Sequence, residues 1–233
     1  MRPLTDSTPK PLLMVRGQPL MQWPMQALAR DGFVRQLVNT AWLGEQIEAQ
    51  LGDQIHWPGL PEVQIRYSHE GQDFGRALET AGGIVRALPE LAEVFWVVAG
   101  DVYAPNFVFM PEALQRFAAS AALAHLWLVP TPAHNPGGDF GLSGSGQVLN
   151  LPKGKPKEES KCTYTFSTIA LYKKTFFAAC GLPLGNPDGV ALALAPLLRA
   201  AMDRGQVTGE LYAGDWTDVG TPERLAQLNG AIT

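Results

Sequence analysis

The sequence VFWVV at residues 94–98 is a nearly unbroken apolar run, and it is followed by Ala-Gly-Asp. A strand covered on both faces of a parallel sheet has this composition, whereas a strand with one solvent face alternates polar and apolar residues. Strand patterns at residues 35–41, 63–70 and 125–131 alternate with helical patterns along the chain. This order predicts an α/β fold with a doubly wound, mostly parallel sheet.

The pattern changes after Asn135, where GDFGLSGSGQVLNL alternates polar and apolar residues around Ser-Gly-Ser-Gly. We expect a small β-hairpin lobe here, followed by a strand over residues 163–172 and a helix over residues 190–204. No linker separates this region from the rest of the chain. Residues 1–233 are therefore predicted to form one domain.

Glycine and proline indicate where two further helices begin. Gly82-Gly83 favours an irregular segment, so we expect the next helix to start near Ile84. Pro24 is tolerable only in the first turn of a helix, which places that helix start between Leu20 and Trp23.

Composition excludes several classes of partner. The chain is 46% hydrophobic and 17% charged, its net charge is −4, and no basic patch suggests a nucleic-acid partner. No apolar stretch has the length of a membrane span or a signal core. Cys162 and Cys180 are isolated thiols without metal-ligand spacing. The chain is therefore predicted to be cytoplasmic.

Two aspartates are candidate metal ligands. Asp101 ends the apolar strand, and ligands of such sheets lie at the carboxyl ends of the strands. With water and phosphate oxygens, carboxylates there could hold Mg²⁺. A turn or capping role for Asp101 is about as well supported. Asp218 lies three residues before the predicted helix start at Thr221-Pro222, and without Asp101 a surface turn would be the preferred interpretation.

The other candidates give weaker signals. Lys10 stands between two prolines, which favour an extended backbone that could aim the amine at a phosphate or leave it solvated. Glu79 and Gly82 precede a helix, where a ligand could approach the backbone or an ordinary turn could form. Neither GDFGL nor Lys153 is more than a hairpin or surface feature by itself. The four histidines show no paired spacing for metal binding or catalysis.

The segments MRPLTDSTPKPL, LETAGGI, VVAGD and WTDVGTPERL occur in that order. Together they resemble the sugar-1-phosphate nucleotidyltransferase family over nearly the whole chain. Within that family, NTAWLGEQI, ALETAGGI and TFSTI are most similar to the bacterial N-acetylmuramate-1-phosphate uridylyltransferases of peptidoglycan recycling and cell-wall metabolism.

The resemblance implies a Rossmann-like nucleotidyltransferase fold and a Mg²⁺-dependent transfer from a nucleoside triphosphate, UTP in the subgroup, to a sugar 1-phosphate. It assigns metal binding to Asp101 and Asp218, catalysis to Lys10 and Asp101, nucleotide binding to Lys10, Glu79 and Gly82, and sugar binding to Asp139, Gly141 and Lys153. Thr168 stands where relatives often have glycine, so the resemblance does not fix which sugar the pocket accepts.

In the family, RPLT follows a strand and a glycine-rich loop of the form G-x-G-x-R, which would take about a dozen residues. The strand is expected in the sheet interior, and the loop is expected to hold the triphosphate. The chain begins at Met1 without them, so we expect little transferase activity from it unless an upstream start codon supplies them.

Two alternatives stay open at this point, and a third is disfavoured. The enzyme could act on mannose or glucose 1-phosphate instead, or the chain could be a catalytically silent relative that binds a nucleotide or sugar. A dehydrogenase is disfavoured because no G-x-G-x-x-G follows a strand. The oligomeric state, monomer or homodimer, is not fixed by the sequence.

Overall fold

The computed structural model describes residues 1–151 and 163–230. Short strands near the N-terminus precede a succession of longer strands and helices. The strands are β1 (Met14–Val15), β2 (Gln18–Pro19), β3 (Arg35–Thr40), β4 (Gln54–Ile55), β5 (Val63–His69), β6 (Val94–Val98), β7 (Val102–Tyr103), β8 (Ala124–Pro130), β9 (Phe140–Leu142), β10 (Val148–Leu149), β11 (Thr163–Lys173), β12 (Val207–Leu211) and β13 (Thr217–Asp218).

Helices fill most of the connections between these strands. They are α1 (Leu4–Ser7), α2 (Gln22–Arg30), α3 (Gly44–Leu51), α4 (Glu70–Phe74), α5 (Glu79–Ala87), α6 (Pro111–Ala119), α7 (Leu194–Asp203) and α8 (Pro222–Leu228). Short 3-10 helices cover Lys10–Leu12, Leu88–Glu90 and Lys174–Cys180. The predicted α/β fold is confirmed.

The largest sheet has the strand order β10-β9-β11-β8-β12, and β6 also pairs with β11. Strands β8 and β12 are parallel, whereas β11 runs antiparallel to β6, β8 and β9. The strands β6, β8 and β12 therefore share one direction, and the antiparallel β11 between β6 and β8 makes this a mixed sheet. Strands β9 and β10 form the predicted hairpin.

A smaller sheet contains the parallel pair β3 and β5, with β4 antiparallel to β5. Within residues 1–151 and 163–230, β3 pairs with β5 and β6 pairs with β11, and neither has a second partner strand. Each of these two strands thus leaves one edge that no described strand pairs. The expectation that a further strand belongs in the sheet interior stays a prediction.

Alternating side chains of β8 and β11 enter two separate cores. Leu126, Leu128 and Tyr172 pack in one cluster with residues of α5 and α7. Trp127 and Leu171 lie on the opposite face, in an aromatic cluster with residues of α6. The large sheet is therefore covered on both faces, as the apolar run of β6 predicted.

Two helix boundaries differ from the expectation. Helix α5 begins at Glu79 rather than near Ile84, so Gly82 and Gly83 lie inside it. A Cβ on Gly82 would lie 2.6 Å from the carbonyl oxygen of Val190, so glycine is needed for close packing. The contact outweighs the roughly 1 kcal/mol that an internal helical glycine costs.

The helix expected over residues 190–204 begins at Leu194. The preceding segment instead forms backbone hydrogen bonds with the N-terminus of α5. Leu192 N donates to Leu78 O at 2.9 Å, and Ala81 N donates to Leu192 O at 3.0 Å. These bonds hold the segment extended. The helix with Pro24 begins at Gln22, within the predicted interval.

No helix among the described residues is long and apolar enough to cross a lipid bilayer.

The fully buried Tyr172 hydroxyl has no hydrogen-bond partner among the described residues. Tyr172→Phe removes an unsatisfied polar group, so we expect the free energy of unfolding to rise by about 1 kcal/mol. The matched control is Tyr67→Phe, because Tyr67 donates its hydroxyl to Gly52 O at 2.5 Å and its loss should destabilise the protein. Urea unfolding measures the stability of both variants. Destabilisation by Tyr172→Phe would show that the Tyr172 hydroxyl has a hydrogen-bond partner.

Candidate active site

The pairing of β7 with β13 brings the two candidate metal ligands together. Val102 lies opposite Asp218 in this antiparallel pair, and Val219 N donates to Asp101 O at 3.0 Å. The two aspartates, far apart in the sequence, therefore lie on paired segments, with the residue after Asp218 hydrogen-bonded to Asp101. The turn after β6 supplies Asp101, and the approach to α8 supplies Asp218.

Lys10 lies at the first of these aspartates. Its Nζ is 2.5 Å from Asp101 Oδ2, and both side chains keep about a third of their surface exposed, at 28% and 36%. A Cβ on Gly100 would be in ordinary contact with the Pro11 ring, at 3.5 Å. The segment that carries Lys10 therefore packs directly on the strand end that carries Asp101.

The predicted extended conformation of Lys10 is wrong. Lys10 begins a 3-10 helix, in which Leu12 N donates to Pro9 O at 2.9 Å and Leu13 N donates to Lys10 O at 3.1 Å. These turn hydrogen bonds outweigh the preference of a residue before proline for extended backbone. The short helix still fixes the lysine on a stiff segment.

Asp218 is contacted by two basic side chains that sequence reasoning missed. Arg224 Nη1 lies 2.5 Å from Asp218 Oδ1, and His134 Nε2 lies 2.9 Å from the same oxygen. The histidine comes from a distant loop, so no local spacing could indicate it. The arginine was inside the quoted WTDVGTPERL motif, and its position in the first turn of α8 was the available signal.

The donor set fits a divalent cation that is shared with a phosphate ligand. Among the described residues, no group of three or more His, Cys, Asp or Glu side chains is placed to hold a metal ion. Two neighbouring carboxylates suffice for Mg²⁺ when water and phosphate oxygens complete its coordination. Lys10 and Arg224 each place a cation at one carboxylate, where they stand in for such an ion.

A cavity of about 410 Å³ lies beside Lys10. Its lining includes Arg2, Asn39 and Trp42. Trp42 is 64% exposed, and its Nε1 donates to Thr5 O at 3.0 Å. This volume is in the range of small-molecule sites. The cavity could thus place a ligand against the amine of Lys10.

Glu79 and Gly82 differ in their exposure to solvent. Glu79 is exposed and is the first residue of α5, with a positive φ of 56°. Gly82 is buried, and its backbone contacts residues 190–192 of this chain. Their role in nucleotide binding stays a prediction.

Buried Glu70 holds the start of α5. Its carboxylate accepts a hydrogen bond from Leu78 N at 2.7 Å, directly before Glu79, and a Cβ on Gly83 would overlap it. Burial raises the pKa of the Glu70 carboxyl, while the bond from Leu78 and the charge of Arg86 oppose that rise. Gly83 therefore leaves the space that the Glu70 carboxylate occupies.

The hairpin residues support the neighbouring strand. The Asp139 carboxylate accepts from Phe166 N at 3.0 Å and lies 3.3 Å from Asn135 Nδ2. Gly141 lies in β9, where a Cβ would come within 2.9 Å of the Leu151 side chain. Lys153 lies outside the described residues. The predicted sugar-binding roles of these three residues stay predictions.

A bulge in β11 lies next to the hairpin. Phe166 pairs with Leu128 and Ala170 with Leu126, so four residues of β11 match two of β8. Thr168 within the bulge has a φ of 65°, which explains why glycine suits this position. Trp216 Nε1 donates to Ser167 O at 3.0 Å, which ties the bulge to the segment carrying Asp218.

Comparisons with known proteins agree with this geometry. The nucleotidyl transferase family profile matches residues 1–233. An N-acetylmuramate alpha-1-phosphate uridylyltransferase of Neisseria meningitidis serogroup B is 41% identical, covering 97% of this chain and 90% of that protein. A UTP–glucose-1-phosphate uridylyltransferase of Synechocystis is 26% identical over 100% of this chain and 60% of that protein.

A solved structure also shares the fold. A protein described as a glucose-1-phosphate thymidylyltransferase from Bacillus anthracis, crystallised with sucrose, superposes with a TM-score of 0.74. It is 20% identical, and the match covers 99% of this chain and 89% of that one. The structural match supports the fold, and the sequence matches support the family.

Glu70→Gln tests how burial of this carboxyl affects stability. The folded protein favours the protonated form, so wild type should lose unfolding free energy, relative to the variant, as pH rises from the usual glutamate range through the raised pKa. Glutamine can still accept from Leu78 N. Urea unfolding from pH 4 to 8 gives the difference between the two proteins; a difference independent of pH would contradict a raised pKa.

Proposed function

Since the chain belongs to the nucleotidyl transferase family, we propose that it joins UTP and N-acetylmuramate 1-phosphate, giving the UDP-sugar and pyrophosphate. The observation that carries the proposal is the junction of β7 and β13, where Lys10 contacts Asp101 and where Asp218 pairs with Val102, the residue after Asp101. The 41% identity to the Neisseria enzyme over nearly its whole length supports the choice of sugar and base.

The reaction joins two anions, and the sugar phosphate needs no general base because its attacking oxygen is already ionised near neutral pH. That oxygen attacks the α-phosphorus of UTP, a new P–O bond forms, and the bond to the β-phosphate oxygen breaks. Pyrophosphate leaves with the electron pair. The protein's task is therefore to position the two substrates and to stabilise negative charge.

Lys10 supplies a positive charge on a rigid segment beside the cavity. When the phosphates bind, its ammonium is within reach of their oxygens and can stabilise charge that develops during transfer. Asp101 and Asp218 would hold Mg²⁺, which when bound neutralises phosphate charge.

We further propose that the enzyme acts in the cytoplasm, where UTP is available, and serves peptidoglycan recycling. This rests on the sugar proposed above. Asp139 and Gly141 would contribute to the sugar side of the site, and Glu79 and Gly82 to the nucleotide side. The protein would work as a monomer or homodimer without a nucleic-acid partner.

A substrate screen tests the activity. The protein, expressed from its complete reading frame, is incubated with each of four nucleoside triphosphates and with N-acetylmuramate, glucose or mannose 1-phosphate, and pyrophosphate release is measured. We expect the highest kcat/KM for UTP with N-acetylmuramate 1-phosphate. A preference for another pair would replace the substrates, and UTP binding without turnover would indicate a silent relative.

Asp101→Asn tests the site. The change removes the charge that would hold the cation, so turnover should fall by at least about a hundredfold while circular dichroism stays unchanged. The matched control is Asp203→Asn, because Asp203 is an exposed aspartate that accepts from Asn150 Nδ2 at 3.0 Å. Full activity of Asp101→Asn would remove Asp101 from the metal site.

A further inference from the structure

Arg224 is held tightly at Asp218. Its Nη1 lies 2.5 Å from Asp218 Oδ1, and only 19% of its side chain is exposed. His134 Nε2 is 2.9 Å from both of these atoms. A guanidinium in this position is always charged at physiological pH, so it acts as a fixed counter-cation of the carboxylate.

The local sequence builds this contact. Thr221 Oγ1 accepts from Arg224 N at 3.3 Å and caps α8, with Pro222 as its first residue. The cap orients the first turn of α8 so that the Arg224 guanidinium contacts the Asp218 carboxylate. Gly220 N donates to Asp218 O at 2.9 Å, which closes the chain between the cap and the aspartate.

Gly220 leaves the space that the guanidinium occupies. A Cβ at this position would overlap Arg224 Nη2 and would lie 3.3 Å from Asp218 Oδ2. Its φ lies outside the left-handed region, so no conformational demand falls on this glycine. The absence of a Cβ lets the guanidinium pack against the backbone at Gly220 while it contacts Asp218.

A metal ion and a guanidinium cannot both contact the same carboxylate oxygen without strong repulsion. We propose that Arg224 is the resident counter-cation of Asp218 and competes with a divalent cation for this carboxylate, so that Arg224 lowers the affinity of the site for free metal. The inference rests on the proposed function, in which Asp218 is a metal ligand. It adds a residue that tunes the affinity of the site for metal.

The arrangement makes the two aspartates unequal. Lys10, at Asp101, is more exposed and sits on a flexible four-carbon stem, whereas Arg224 is more buried and is anchored by the capped first turn of α8. The cation at Asp218 is thus the harder of the two to displace. Free metal should bind weakly for this reason.

The test measures Mn²⁺ binding without nucleotide, from the loss of the electron paramagnetic resonance signal of free Mn²⁺. Removing the competing charge in Arg224→Gln should tighten Mn²⁺ binding by about three- to tenfold. Asp218→Asn should weaken it, and the double variant should bind like Asp218→Asn alone. Arg66→Gln, which removes an arginine from an exposed ion pair with Glu90, is the matched control for net charge.

Arg224→Lys is the second variant, and circular dichroism reports whether each protein is folded. The lysine ammonium competes at a single point, so its Mn²⁺ affinity should lie between those of wild type and Arg224→Gln. If Arg224→Gln does not fold, the absence of any tightening in Arg224→Lys overturns the inference.

The outcomes separate the inference from the function on which it rests. If Asp218→Asn binds Mn²⁺ as wild type does, Asp218 is not a metal ligand and the proposed metal site fails. If Asp218→Asn weakens binding but Arg224→Gln leaves it unchanged or weaker, the role of Arg224 is overturned and the metal site stands. Equal tightening in Arg66→Gln would attribute the effect to net charge and overturn it too.

Discussion

The pairing of β11 with β6, β8 and β9 is the interaction on which the rest of the structure depends. It joins the hairpin lobe to the large sheet and gives β6 its partner strand. Because β6 leads directly into Asp101, the position of one candidate metal ligand follows from this pairing. The bulge in β11 accepts the indole of Trp216, so the segment with Asp218 is fixed to the same strand. The segments that carry Asp101 and Asp218 are thus both positioned by contacts with β11.

The site balances charge before any substrate arrives. Asp101 and Asp218 lie on adjacent, hydrogen-bonded segments, and each carboxylate is paired with a basic side chain. Such pairs, being partly exposed, contribute little to stability by themselves. The pairs orient the carboxylates in the free protein and compete for them with a phosphate-bound cation.

The sequence was sufficient for elements whose patterns are local. The apolar run of β6, the hairpin, and the capped start of α8 at Thr221 and Pro222 all follow from short-range rules and are present. The start of α5 was predicted wrongly because the need for glycine there comes from distant segments, near Val190 and Glu70.

The candidate site was predictable in part for the same reason. The family resemblance and the strand-end rule both selected Asp101, and the structure pairs the next residue, Val102, with Asp218. The contact of His134 with Asp218 depends on how separate loops meet, and no spacing in the chain encodes it. The 3-10 turn at Lys10 was also not predicted, because a residue before proline prefers extended backbone and the hydrogen bonds of the turn outweigh that preference.

The left-handed backbone at Thr168 has an energetic consequence. Glycine adopts this conformation freely, whereas an L-residue carries about 1–2 kcal/mol of steric strain, and a branched Cβ makes the position still less favourable. Threonine is held in this conformation by the pairing of β11 with β8 on either side of the bulge and by the hydrogen bond from Trp216 to Ser167 O. The fold thus stores conformational strain in the strand beside the hairpin lobe.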